Sequence, residues 1–310
     1  MLAGLGSDIG LEIVVWLQAH GNAFFDALAE GLHIAGQDLF YLAVLTLVFW
    51  SINRQLGLRL LFALLVATAT VEVLKAIFQV PRPFIAHPDQ VVPLVEQGGF
   101  AFPSGHVMIG LIVWGYMAYW LRRRAAWALV AVYLLLIGWG RMYTGVHYPE
   151  DVIGGLAGGV LVLWLYGRFA EPVARLWGAL KLTAQAGLVV IVSLAAVSFL
   201  WDSADGLAAA GILFGGGVGL IIEGRWVRFT VPTTPWRRLI CFAVGVVLAL
   251  ALMFGLRALF DSAGAEQPLR LLRYALVGLF AIAIWPWLCT RLGWMGVRPR
   301  GDPPPDRPAL

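Results

Sequence analysis

Nine apolar stretches, each close to the length of a bilayer-spanning helix, dominate the chain and point to a helical bundle in lipid. They lie at residues 36–52, 57–80, 104–121, 125–143, 148–167, 183–201, 206–222, 239–260 and 274–292. Crossing the hydrocarbon core as a helix takes about 20 mostly apolar residues. Composition agrees, since the 310 residues are 60% hydrophobic and only 13% charged. Soluble domains average about 45–50% apolar and about 25% charged. The expected fold class is therefore all-α, a polytopic membrane helical bundle of about nine transmembrane helices.

Residues 8–33 read differently. Phe24, Phe25, Leu28 and Leu32 recur at helical spacing opposite His20, Asp26 and Glu30, which predicts an N-terminal interfacial amphipathic helix. No Lys or Arg precedes Arg54, so a secretory leader, which needs a basic start, is not expected. Cys241 and Cys289 fall in apolar segments and read as buried thiols, without disulfide or metal spacing. Gly154, Gly155, Gly158 and Gly159, and again Gly211, Gly215 and Gly219, form small-residue faces that let helices approach closely in lipid. The end of the chain, residues 296–310 with Pro303, Pro304 and Pro305, reads as a disordered Pro-rich tail.

Basic residues set the expected orientation. With the N-terminus outside, the inner connections carry Arg54 and Arg59; Arg122, Arg123 and Arg124; Arg168, Arg175 and Lys181; Arg225, Arg228, Arg237 and Arg238; and Arg291, Arg298, Arg300 and Arg307. Only Lys75, Arg82, Arg141, Arg257, Arg270 and Arg273 fall outside. The C-terminus is then cytoplasmic.

Ionisable groups at membrane depth are expensive unless paired or hydrated. Three outward clusters therefore need a reason. The second span closes on Lys75 followed by Arg82-Pro83. The third opens on Pro103-Ser104-Gly105-His106. Arg141, His147 and Asp151 join the fourth span to the fifth. Taken singly, each has an ordinary reading: snorkelling anchors, a helix start, a helix-end hydrogen bond. Taken together, Lys75, Arg82 and Arg141 are three cations at one depth that repel one another unless an anion joins them. Arginine forks match phosphate oxygens and lysine adds a point charge. Ser104 suits the cap of a helix beginning at Gly105, whose free N–H groups favour an anion.

Two histidines complete the chemistry. Pro149 suits a helix first turn, which places His147 at its mouth with Asp151 four residues on. A carboxylate there fixes the imidazole tautomer and leaves Nε2 free as nucleophile. His106, on another helix, is the candidate acid for the leaving oxygen and later the base for water. A zinc site from His106, His147 and Asp151 is possible in ligand type. The three neighbouring cations disfavour it, so neither a metal nor any cofactor is expected.

These motifs resemble the type 2 phosphatidic-acid phosphatase superfamily, integral membrane lipid-phosphate phosphatases related to vanadium haloperoxidases. The resemblance covers about residues 36–167. Its one departure is Gly140, where the family usually has Ser. By that resemblance His147 forms a phosphohistidine, oriented by Asp151, with His106 as acid and base. Lys75, Arg82, Ser104, Gly105 and Arg141 hold the phosphoryl oxygens without a metal. The expected domains are an N-terminal interfacial helix (1–35), a catalytic core (36–180), a four-helix membrane extension (181–295) that the motif does not explain, and the tail (296–310).

The implied partners are the bilayer and a lipid phosphate at the outer face: phosphatidate, a sphingoid phosphate or a polyprenyl diphosphate. No nucleic acid is expected, and oligomeric state stays open. In a bacterium the setting is the inner membrane with the site facing the periplasm. Two rivals remain, a lipid phosphotransferase with the same histidine chemistry and a non-catalytic lipid-phosphate transporter. Glu223, Arg225 and Arg228 in the extension read either as a pairing network or as a second site.

Overall fold

Helix α6 (Gly105–Leu121) is apolar on every side, and Val107, Met108, Leu111, Ile112, Val113 and Tyr116 are all buried. A helix with no polar face belongs inside a bundle. In the computed structural model, which describes residues 7–260 and 266–299, three helices enclose it: α4 (Arg54–Phe78), α7 (Arg124–Tyr143) and α8 (Pro149–Ala179). Ala63, Ala67 and Val71 of α4 pack on Met108 and Ile112. Ile137 of α7 and Val152 of α8 pack on Val107.

The glycine face of α8 makes this closeness possible. A Cβ at Gly155 would stand 2.8 Å from the Ser104 carbonyl oxygen, and one at Gly159 would stand 2.9 Å from Leu111. The start of α8 is thereby brought against the start of α6, which is where the motif residues lie.

The chain is an integral membrane protein of the expected all-α class. Among the described residues, seven helical stretches are long and apolar enough to cross a bilayer by length and composition: Arg54–Ala86, Arg124–Tyr143, Pro149–Ala179, Leu182–Leu200, Ala204–Val227, Pro235–Phe260 and Glu266–Arg291. An eighth arises if the strongly bent pair Ala23–Ile34 and Leu39–Ile52 is one span. Of the nine expected spans the remaining one is α6, whose 17 residues rise about 25 Å at 1.5 Å each, at the short end of the lengths that cross a bilayer. Its side chains are buried among neighbouring helices.

Residues 8–33 form two helices where one was expected, α1 (Asp8–Ala19) and α2 (Ala23–Ile34). The break has a local cause: the Asn22 side chain accepts from the Phe24 and Phe25 N–H groups and starts a new helix. Both helices pack on the motif-bearing part of the chain. The Gln18 amide donates to the Val92 carbonyl at 2.7 Å and accepts from the Val92 N–H at 3.1 Å. The Tyr143 hydroxyl donates to Asp26 at 2.5 Å.

Two compact units emerge. The first takes in residues up to Leu45, Leu58–Leu180 and Ala196–Ala209. The second comprises Thr46–Gly57, Lys181–Ala195 and the residues from Ala210 on. Within the second, α10 (Ala204–Ile222) lies so near α12 (Glu266–Leu279) that a Cβ at Gly215 would overlap the Ala275 backbone. Trp50 Nε1 donates to the Ala281 carbonyl at 2.9 Å, and Trp285 Nε1 donates to that of Cys241 at 3.0 Å. Cys241 and Cys289 are free and buried.

Glu223, Arg225 and Arg228 belong to a pairing network: Glu223 binds Arg54, Arg225 donates to Gln185 at 3.0 Å, and Arg228 reaches the Pro299 carbonyl. A two-residue antiparallel pairing joins Phe229 to Val297 and Thr230 to Gly296. The expected disordered tail falls mostly at residues 300–310, outside the described residues.

Candidate active site

The site lies in the first unit, where α6 and α8 begin. Tyr148 precedes α8, Pro149 opens it, and Asp151 occupies its third position. The Asp151 carboxylate accepts from the Tyr148 backbone N–H at 2.7 Å through Oδ2. That same oxygen is 3.4 Å from Nδ1 of His147. The expected His147–Asp151 pair is thus formed by one turn of chain, with the carboxylate fixed by the helix it caps. Burial, ahead of the Arg82 and Arg141 charges, holds the His147 imidazole well below its usual range. The ring is therefore neutral at pH 7.

Arg82, 1% exposed, sits on the opposite side of that ring. Its Nη1 donates to the Val146 carbonyl at 2.9 Å and lies 3.3 Å from Nε2 of His147. Its Nε donates to the Gly98 and Gly99 carbonyls at 3.1 and 3.0 Å, and Nη2 donates to Gly98 at 2.7 Å. Expected only as a phosphate ligand, Arg82 is also the clip that joins the loop before α6 to the turn before α8. Guanidinium is a donor only, so Nε2 of His147 accepts. The ring proton is then on Nδ1, toward Asp151.

Ser104 stands at the N-cap of α6, as its position predicts, yet its hydroxyl caps nothing. The residue is fully buried and Oγ has no partner. Its backbone N–H donates to the Asp151 carbonyl at 3.0 Å, joining the two helix starts. Gly105 follows at the mouth of α6, where an added Cβ would meet Val71 at 3.3 Å. His106 comes next, with Nε2 buried and unpartnered.

Arg141, at the last turn of α7, is 1% exposed. Its Nη1 lies 2.8 Å from Nδ1 of His33, and its Nη2 donates to Gln97 Oε1 at 2.8 Å. Its Nε has no partner. Lys75 is engaged differently: its ammonium is 2.7 Å from Glu72 Oε1, and Glu72 Oε2 in turn accepts from Ser203 at 2.7 Å.

His106, His147, Asp151, Arg82, Arg141, Ser104 and Gly105 thus gather at the adjoining helix starts. The spacing argument did not find His33, Gln97, Glu72 or the Gly98 and Gly99 carbonyls. Glu72 is the one with a local signal, its i,i+3 spacing to Lys75. The departure at Gly140 has a packing correlate, since a Cβ there would meet Leu32 of α2 at 3.3 Å. Among the described residues no three His, Cys, Asp or Glu side chains gather as a metal-ligand set.

Comparison with known proteins places these residues in context. A model of the PAP2 superfamily matches residues 56–173, which contain every motif residue from Lys75 to Asp151. A second, for the transmembrane extension of PAP2 superfamily phosphatases, matches residues 207–297. Phosphatidylglycerophosphatase B of Bacillus subtilis is 35% identical over 92 residues, 27% of this chain and 45% of that one. Lipid phosphate phosphatase delta of Arabidopsis thaliana is 27% identical over 174 residues, 51% of this chain and 41% of its own. Undecaprenyl-diphosphatase BcrC of Bacillus subtilis is 29% identical over 158 residues, 49% of this chain and 79% of its own. The chain spans less than half the length of the first two of these relatives. With one match over the helices that carry the motif and another over those that follow, the chain belongs to the PAP2 superfamily.

Proposed function

We propose that the chain is an integral membrane phosphatase that releases phosphate from a lipid phosphate or diphosphate through a phosphohistidine at His147, without a metal. One observation carries this reading. Four buried polar atoms lack hydrogen-bond partners where the motif segments meet: Ser104 Oγ, His106 Nε2, Arg141 Nε and Asp151 Oδ1. Each buried unpaired polar group costs about 1–3 kcal/mol. Such a concentration makes sense where an anionic guest and a moving proton supply the missing bonds.

The chemistry follows from the atoms. Nε2 of His147 attacks phosphorus while the bond from phosphorus to the ester or bridging oxygen breaks. His106 gives that leaving oxygen a proton. Asp151 stabilises the ring proton on Nδ1 as positive charge develops. His106 then takes a proton from water, the resulting hydroxide attacks phosphorus, and the N–P bond breaks to release phosphate. Throughout, Arg82, Arg141, Lys75, Ser104 and the free N–H groups at Gly105 and His106 meet the three equatorial oxygens. The three cations would repel a metal ion at the same place.

Lipid substrates are supported by the membrane fold and by the names of the similar proteins, which specify phosphatidylglycerophosphate, lipid phosphate and undecaprenyl diphosphate. The distribution of Lys and Arg among the connections supports a site at the outer face with the C-terminus inside. In a bacterium that is the periplasmic face of the inner membrane. The division into interfacial helix, catalytic core, extension and tail belongs to the same proposal.

The test is phosphate release in detergent by the parent and His147→Ala, with EDTA present, across phosphatidate, phosphatidylglycerophosphate, a sphingoid phosphate and a polyprenyl diphosphate. Release by the parent alone supports the metal-free histidine mechanism, and the best substrate names the class. Equal release by His147→Ala sinks the mechanism. No release by the parent, with phosphoryl transfer to an added lipid acceptor, replaces hydrolysis by transfer.

A further inference from the structure

Residues from outside the matched segment 56–173 reach the site from α2 and the turn after it. His33 makes two contacts there. Its Nδ1 is 2.8 Å from Arg141 Nη1. Its ring stacks on that of His106, with centroids 5.5 Å apart and planes 8° from parallel. Gly36, three residues on, closes the arrangement, because a Cβ there would overlap the His106 ring.

The state of His33 follows from its partners. Arg141 can only donate, so Nδ1 accepts and carries no proton. The proton is then on Nε2, 2.7 Å from the Gln37 side-chain amide, whose oxygen must turn toward it. His33 is thus a neutral ring with a fixed tautomer, held at both nitrogens. It passes that order inward. With His33 on Nη1 and Gln97 on Nη2, the Arg141 guanidinium is pinned at both ends of its fork while Nε stays bare. The parallel ring likewise fixes the plane of His106, whose Nε2 is also bare.

We propose that His33 is a positioning residue of this active site, aiming Arg141 Nε at a phosphoryl oxygen and His106 Nε2 at the leaving oxygen. This rests on the phosphatase reading above. Buried packing alone would require only that the volume be filled. Positioning requires two separable features, an acceptor for Arg141 and a flat ring for His106.

Two near-isosteric variants of the full chain in detergent separate them. His33→Asn keeps an acceptor close to the place of Nδ1 and loses the ring. His33→Phe keeps the ring and loses the acceptor. Affinity for inorganic phosphate, measured by titration calorimetry, reads Arg141 and needs no turnover. The pH profile of kcat for a lipid phosphate reads His106. Positioning predicts that His33→Asn binds phosphate within about twofold of the parent, while His33→Phe and His33→Ala bind about tenfold more weakly, the loss of one charge-assisted hydrogen bond. It predicts the converse for the pH profile: His33→Phe matches the parent, whereas in His33→Asn and His33→Ala the limb belonging to His106 moves by half a unit or more.

If Asn and Phe damage both readouts equally, His33 is only filler and the proposal is overturned. If no variant changes either readout, it is overturned as well. Should the parent bind phosphate but hydrolyse no lipid, the phosphatase reading fails by itself. The Asn-to-Phe contrast in phosphate affinity then still decides the Arg141 half of the proposal, and equal affinities overturn it.

Discussion

Arg82 places Nη1 3.3 Å from Nε2 of His147 and 2.9 Å from the carbonyl of the preceding residue, Val146. The same guanidinium holds the Gly98 and Gly99 carbonyls. One side chain thereby closes the loop before α6 onto the turn before α8 and marks the nitrogen that attacks. A lysine keeps the charge but cannot reach several carbonyls and a ring nitrogen with a planar fork. Arg82→Lys is expected to lower kcat/KM for a lipid phosphate by about 100-fold or more, as loss of a preorganised donor does. Initial-rate kinetics beside the parent check this, and a change below threefold would refute the clip.

His147 makes stability depend on pH in a definite direction. In the unfolded chain it takes a proton near its ordinary value, about 6.5. In the folded chain, burial first and the Arg82 and Arg141 charges second hold it well below that. Between the two values the unfolded state binds more protons, so stability falls as pH drops below about 6.5 and is unaffected above it. His147→Gln removes this contribution. From pH 7.5 to pH 5 its melting temperature is expected to fall less than the parent's, measured by thermal scans in one detergent. Parallel curves would show that His147 takes its proton equally easily in both states.

Gly36 has no space for a methyl group, because His106 stands where the Cβ would go. Gly36→Ala therefore displaces the His106 ring while leaving the Arg82 clip untouched. A displacement near 1 Å at a reacting group costs up to about 100-fold. The expected result is kcat reduced roughly 10- to 100-fold with KM within about threefold of the parent. An unchanged kcat would mean the ring yields without functional consequence.

Glu223 in the second unit is wholly buried and receives both Nε, at 2.9 Å, and Nη2 of Arg54. Removing one partner of a buried pair strands the other charge, which costs about 3–5 kcal/mol, whereas replacing both with apolar residues is often neutral. Glu223→Ala is expected to lower the melting temperature markedly, and Arg54→Met with Glu223→Leu to recover most of the loss. A double variant as unstable as the single one would show that the pair contributes more than its mutual compensation.

Much of this was legible from short-range patterns. Pro149 and Asp151 announce the start of α8 because first-turn preferences are local, and His147 reaches Asp151 because four residues make about one helical turn. Apolar runs locate the helices because lipid offers the backbone no partners. They did not show that α6 is enclosed by its neighbours, since a hydropathy run does not distinguish a helix facing lipid from one buried in the bundle. They also merged α1 and α2, because Asn22 reads as a polar residue on a face until its side chain caps a new helix.

The sequence by itself determined which chemical groups are present and which of them share a turn: the His147–Asp151 pair and the Ser104-Gly105-His106 helix start. Only the tertiary structure decided what those groups do with their remaining bonds. It left the Ser104 hydroxyl bare, committed Arg82 to carbonyls of two separate loops, and brought His33 onto Arg141 and His106. The physical reason is range. Helix periodicity and capping act over one or two turns, whereas the partner of a long side chain is fixed by how helices pack, and that packing runs through Gly155 and Gly159 of α8 against α6.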